Sequence, residues 1–138
     1  GPARARCRAL VRKLLSQAAA VLSDLADNAD NQVAIARAGG IAPLVALARG
    51  GTDGQKEQAA GALRWLAFNA DNQVAIAEAG GIAPLVALAR DGTDWQKVHA
   101  ARVLRSLALN SENQVAIASA GGIAPLVALA CDGTDWQK

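Results

Sequence analysis

Aromatic side chains are scarce in this sequence, at 3% of 138 residues, whereas hydrophobic residues of all kinds make up 52%. A core must therefore be built from alanine, leucine, valine and isoleucine, and such small side chains let helices approach one another closely. Charge is nearly balanced, because 14 basic and 12 acidic residues leave a net charge of +2. This excess is too small to indicate a nucleic-acid partner.

Features of membrane and secreted proteins are also missing. No apolar run approaches the ~18 residues of a membrane span, and the basic start of the chain has apolar stretches too short for a signal peptide. We therefore expect a soluble protein with no membrane partner and no targeting signal. Gly1 and Pro2 are typical of a cleaved tag and would suit recombinant cytoplasmic expression, although the compartment itself stays open.

What the sequence has in abundance is internal repetition. The phrase AGGIAPLVALA begins at Ala38, Ala79 and Ala120, and the phrase NQVAIA follows the same step of 41 residues. Repetition at such a period predicts a stacked-repeat solenoid, in which each unit buries its apolar face against its neighbours. In one unit we expect a short helix ended by a Gly-Gly pair, a second helix with proline in its first turn, and a longer third helix capped by Thr93 or Asp94.

Three helices per unit, with NQ, AGGI, P and LV-AL at fixed positions, make the chain resemble the armadillo repeat family. The resemblance implies an all-α fold, a right-handed α-solenoid of three-helix armadillo repeats. The units are so alike that we expect an engineered, consensus-type member. The expected organisation is a single domain over 1–138, with an N-terminal helical cap at 1–29, repeats at 30–70 and 71–111, and a partial repeat at 112–138 that lacks its third helix.

Differences between the units collect on the third helices. In the third helix that begins at Thr93 or Asp94, these differences fall at positions 95, 98, 99, 102, 106 and 109, which is the spacing of one helical face. Core positions such as Ala100, Val103 and Leu107 lie on another face, so we expect the variable face to be a surface.

The armadillo resemblance implies that third helices line a concave groove that binds extended peptides. Family members carry an asparagine on this helix, and here its positions hold Asp24, Trp65 and Ser106, so the ordinary mode of peptide binding is in doubt. Tryptophan, phenylalanine and arginine are enriched in interface cores, which favours a protein or peptide contact over side chains that only pack on each other. The candidate groove residues are Asp24, Asp27, Trp65, Phe68, Trp95, Val98, His99, Arg102, Ser106, Leu109 and Trp136.

Catalytic and metal chemistry find little support. His99 and Ser106 share a helix but are ~10.5 Å apart along its axis, too far for a nucleophile and its base. His99 with Cys131 is a conceivable nucleophile pair, so enzymatic activity is left open although its absence is expected. One histidine and two distant cysteines do not supply the ligands of a zinc site, and the Gly-Gly pairs lack phosphate-loop spacing, so we expect no metal and no cofactor.

Cys7 and Cys131 lie near opposite ends of the chain, roughly 25–30 Å apart if helices stack at the usual spacing. A disulfide needs Cα atoms within about 7 Å, so we expect free thiols, with an intermolecular disulfide as the alternative. Overall, the sequence predicts an engineered repeat scaffold that binds a protein, a peptide or its own copy, through the groove or through an uncapped C-terminal end. The alternative is a hydrolase-like or small-molecule pocket around His99.

Overall fold

The computed structural model describes the backbone of residues 1–136 and the side chains of residues 1–131. Within this part of the chain there are nine α-helices and no strand, which confirms the all-α class. The helices are α1 (Pro2–Leu25), α2 (Ala29–Arg37), α3 (Ile41–Gly50), α4 (Asp53–Leu66), α5 (Ala70–Glu78), α6 (Ile82–Asp91), α7 (Asp94–Leu107), α8 (Ser111–Ser119) and α9 (Ile123–Trp136).

The same three-helix unit occurs as α2–α3–α4 and again as α5–α6–α7. Each first helix ends at a glycine with positive φ, Gly39, Gly80 and Gly121 at 80°, 78° and 81°. Glycine is needed there because a Cβ atom makes this left-handed conformation costly. The chain then turns by 85–88° into the second helix. The predicted roles of the Gly-Gly pairs are thus confirmed for the first glycine of each pair.

The third helices α4 and α7 begin at a threonine N-cap with a capping box, so of the two predicted caps, Thr93 and Asp94, it is Thr93 that caps α7. The hydroxyl of Thr93 accepts a hydrogen bond from the Gln96 backbone N–H at 3.3 Å, and the Gln96 side chain accepts one from the Thr93 N–H at 3.0 Å. Thr52 and Gln55 repeat the arrangement at the start of α4. Two orphan donors are satisfied at each helix start, so the bend before the third helix is locally encoded.

The core runs along the stack between helices of adjacent units. The third helices α1, α4 and α7 pack side by side, and α4 and α7 also pack on the second helices of their own units, α3 and α6. Leu63, Leu66, Leu85 and Leu107 are fully buried in these contacts. Small residues, including Ala59, are buried between them, as expected from the composition.

Buried amides tie each unit to the next. The Gln96 side-chain amide donates to the Asp53 carbonyl at 2.8 Å, and that of Gln55 donates to the Arg12 carbonyl at 3.0 Å. The Asn72 amide bridges units in the same way, donating to the Gln32 carbonyl at 3.2 Å. Because a buried carbonyl without a donor is costly, these bonds set the register of the stack.

The two ends of the stack differ from its middle. The N-terminal segment, expected as one long helix or two short ones, is the single helix α1, and it packs against α4 as a third helix does. At the other end, α9 continues as helix past the position at which α3 and α6 end. In the described part of the chain, Cys7 and Cys131 are both exposed and are not joined to each other by a disulfide.

Among the described residues, no single helix has both the length and the apolar character that a membrane span requires. Three pairs of consecutive helices, each bent at its Gly-Gly junction, reach that length and apolarity only when taken together.

Candidate binding surface

The variable face of α7 is largely on the surface, as its spacing predicts, whereas on α4 the variable position Gly61 is buried. On α7, Trp95 is 61% exposed and Val98 39%, and Leu109 just beyond the helix is 78% exposed. The opposite face of α7 is buried. We call this surface the third-helix stripe, and the described side chains that define it are Trp65, Phe68, Trp95, Val98, His99, Arg102, Ser106 and Leu109.

Two aromatic residues at the end of α4 interact with each other. The rings of Trp65 and Phe68 have centroids 5.6 Å apart and are tilted by 40°, a favourable aromatic arrangement. Trp65 is partly buried and packs against the core, whereas Phe68 is 62% exposed. The Arg64 guanidinium lies 4.9 Å from the Trp65 ring centroid, within cation–π range. Trp65 thus has a packing role, and Phe68 offers the exposed apolar surface.

His99 occupies a space that glycine opens. A Cβ atom built on Gly61 would lie 3.6 Å from His99 Nε2 and 3.2 Å from the Ser23 hydroxyl, so the imidazole of α7 reaches over α4 toward α1. The other face of the ring is near Trp95, with centroids 6.0 Å apart and a 29° interplanar angle. The Nδ1 atom is buried and has no hydrogen-bond partner. His99 of one unit therefore packs against Gly61 of the preceding unit, at a distance that an added Cβ atom would turn into ordinary van der Waals contact.

A cleft of about 330 Å³ lies between the ends of α4 and α7. Its floor is formed by Ala67 and by Gln73, whose amide donates to the Ala67 carbonyl at 2.9 Å. We call it the arginine cleft, and its walls are Arg64, Arg102, Arg105, Phe68, Ser106 and Leu109. It brings together four predicted site residues from two units: Phe68, Arg102, Ser106 and Leu109.

Positive charge dominates the electrostatics of this region. Burial lowers the pKa of Arg64, and the charge of nearby Arg102 lowers it further. The pKa of His99 is also lowered, first by burial and then by Arg64; Glu57 acts in the opposite direction, and Arg102 adds the smallest lowering effect. The imidazole is therefore held in its neutral form near neutral pH.

Other predicted site residues are not joined to this cluster. Asp24 and Asp27 are exposed on and just after α1, and no hydrogen bond or ion pair links them to the stripe in the described part of the chain. The side chain of Trp136 lies outside the described residues. Among side chains 1–131, His99 is not hydrogen-bonded to Ser106 or to Cys131, and the pair His99–Cys131 stays a prediction. The same part of the chain has no cluster of three potential metal ligands.

Arg64 and Arg105 are important cleft residues that the comparison of repeats did not select. They occupy equivalent positions 41 residues apart and are identical, so a search for positions that differ between units passes over them. The signal that could have found them is their position next to Trp65 and Ser106 on the same helices, together with the arginine at 102.

Comparison with known proteins agrees with this architecture. The armadillo/β-catenin-like repeat family matches residues 28–68. A crystal structure of an engineered protein is 33% identical, with a TM-score of 0.77 over 83% of this chain and 47% of its own. A designed armadillo repeat protein in complex with the peptide (KR)4 is 28% identical, with a TM-score of 0.75 over 82% of this chain and 48% of its own.

A natural protein is also similar. The armadillo-repeats-only protein of Plasmodium falciparum is 26% identical, with a TM-score of 0.77 over 83% of this chain and 49% of its own. The chain therefore spans about half the length of these three structures. No curated protein sequence matches it.

Stacked three-helix units with a variable stripe along the third helices define an α-solenoid of the repeat-protein class. Residues 28–68 match the armadillo/β-catenin-like repeat family, and designed armadillo repeat proteins are among the structural neighbours of the chain. The resemblance predicted from the repeated motifs is thus confirmed.

Proposed function

We propose that this protein is an engineered repeat scaffold that binds a peptide, or an extended segment of a protein, along the third-helix stripe. The observation that carries this proposal is the exposure of Phe68, Trp95 and Leu109, at 62%, 61% and 78%, on the third-helix stripe of two stacked units. Large apolar side chains exposed together usually mark an interaction site. A similar designed armadillo protein binds the peptide (KR)4, which supports peptide as the class of ligand.

The direct test is a selection from a phage-displayed library of random peptides, followed by calorimetry with one selected peptide. Replacing Trp95 by alanine should weaken binding by ~1–4 kcal/mol if this ring is an interface hot spot. Val74→Ala is the matched control, because Val74 is 42% exposed but lies on α5, a first helix. Failure to enrich any peptide, or an equal loss in both variants, would contradict the proposal.

We also propose that the ends of the solenoid associate with a second copy of the chain. On α1, Val21 and Leu25 are 54% and 46% exposed, whereas Leu66 and Leu107, which are equivalent to Leu25, are fully buried. On α9, Val127 is 57% exposed, whereas the equivalent Val45 and Val86 are each 1% exposed.

These two exposed faces are of complementary kinds. Inside the solenoid, each third helix packs on the second helix of its own unit, as α4 does on α3. The helix α1 is equivalent to a third helix, and the corresponding face of α1 is exposed. A second helix is what α9 supplies, so α1 of one copy is suited to α9 of another. The molecular mass in solution as a function of concentration measures this association.

A further inference from the structure

The arginine cleft combines three positive side chains with apolar walls. Arg64 comes from α4, and Arg102 and Arg105 come from α7, so arginines from two units line one space. Phe68 and Leu109 form the apolar part of the wall. None of the residues that line the cleft is acidic.

The charges in this cleft are not neutralised from within the protein. Among the side chains of residues 1–131, none of the three arginines takes part in an ion pair. The Nε atom of Arg64 is buried and has no hydrogen-bond partner. Arg64 and Arg102 carry like charges, and their proximity disfavours the charged forms of both. An anion placed between them would be attracted by both guanidinium groups.

We infer that the arginine cleft binds the carboxylate of an aspartate or glutamate side chain of an extended peptide, with an adjacent apolar side chain against Phe68 and Leu109. Guanidinium groups match carboxylates in shape, through paired N–H donors. The Ser106 hydroxyl is a further donor on the same wall. This inference rests on the proposed function, and it gives the stripe a charge preference opposite to that of the neighbour that binds (KR)4.

The test compares three labelled peptides, (Glu-Leu)4, (Gln-Leu)4 and (Lys-Leu)4, by fluorescence anisotropy with the full chain. The glutamate peptide should bind at least about 10-fold more tightly than the glutamine peptide, because hydrogen bonds to charged groups are stronger than neutral ones. Its affinity should fall as salt is raised, since the cleft is open to solvent. Equal affinity for the glutamate and glutamine peptides would overturn the inference and leave the proposed function standing.

Arg102→Gln should reduce the preference for glutamate, and Arg102→Glu should reduce it further, because a carboxylate then stands where the peptide carboxylate would bind. Arg102 is exposed, so both variants should fold, and thermal melting checks this. Arg37→Gln is the control for net charge, because Arg37 is exposed at the end of α2, away from the cleft. An equal loss in Arg37→Gln would mean unspecific attraction and would overturn the inference. Absence of binding by all three peptides would also overturn it, whereas only failure of the random-library selection would count against the proposed function.

Discussion

His99 is the one histidine of the chain, and its environment makes it a sensor of pH at the scale of a single residue. The imidazole fills the space above Gly61 and lies near Trp95. Burial is the first cause of its lowered pKa, and Arg64 and Arg102 act in the same direction, while Glu57 opposes them. The neutral ring is therefore the form that fits the folded protein.

We expect the free energy of unfolding to decrease as the pH falls below 6.5, the ordinary pKa of histidine. Between this value and the lower pKa of the folded state, the unfolded chain binds more protons than the native one, so acidification favours unfolding. The contribution of His99 is fully present above pH 6.5. Urea titrations between about pH 7 and 5, above the range of most carboxyl groups, measure the slope, and His99→Gln should flatten it. An unchanged slope in this variant would show that the imidazole does not report on folding.

At the scale of helices, repeated amides connect each third helix to the first helix that follows it. The Gln73 amide donates to the Ala67 carbonyl at 2.9 Å, and the equivalent Gln114 donates to the Ala108 carbonyl at 2.8 Å. Gln73 is 9% exposed, because it lies in the middle of the stack, whereas Gln114 is exposed. The same amide-to-carbonyl hydrogen bond is thus buried at Gln73 and exposed to solvent at Gln114.

Gln73→Ala should lower the free energy of unfolding by about 1–3 kcal/mol, because the Ala67 carbonyl is left buried without a donor. Gln114→Ala makes the same change where water can replace the lost amide, so we expect a cost of no more than about 0.5 kcal/mol. Chemical denaturation of both variants and the parent chain measures the difference. Equal costs would mean that burial does not decide the value of this hydrogen bond.

At the scale of the whole molecule, identical sequence has different exposure along the stack. Val86 is 1% exposed, whereas the equivalent Val127 is 57% exposed. Val86 is covered by the next unit, where a Cβ atom built on Gly122 would lie 3.3 Å from one of its methyl groups. Stability in a solenoid comes from such contacts between neighbours.

If a second copy covers α9, Val127→Asp should reduce self-association, because a charge placed in an apolar interface is costly to desolvate. We expect at least a 10-fold weaker association constant for this end-to-end contact, about 1.4 kcal/mol, by sedimentation equilibrium. Val74→Asp introduces the same charge on α5 and should leave the mass distribution unchanged. A parent chain that stays monomeric at all concentrations would contradict end-to-end association, and measurements with reductant separate it from disulfide formation through Cys7 or Cys131.

Local chemistry explains why so much of the fold could be predicted from the sequence. The Thr-Asp caps and Gly80 each act within a few residues of their own position, so they are visible without a structure. The 41-residue period can be read directly from the repeated phrases. The helical spacing of the variable positions likewise predicted that Trp95 and Leu109 are on the surface. The sequence by itself therefore determined the three-helix unit, its resemblance to armadillo repeats and the exposure of Trp95 and Leu109.

The arrangement of the site depended on the tertiary structure, because it joins residues from different units. Only the packing of α7 on α4 placed His99 over Gly61 and made Arg64 line the same cleft as Arg102. The tertiary structure also gave the two aromatic residues at the end of α4 different roles, since Trp65 packs on the core and Phe68 is exposed. Distances across a stack are set by the sizes of side chains on two helices at once, which no pattern along a single helix contains.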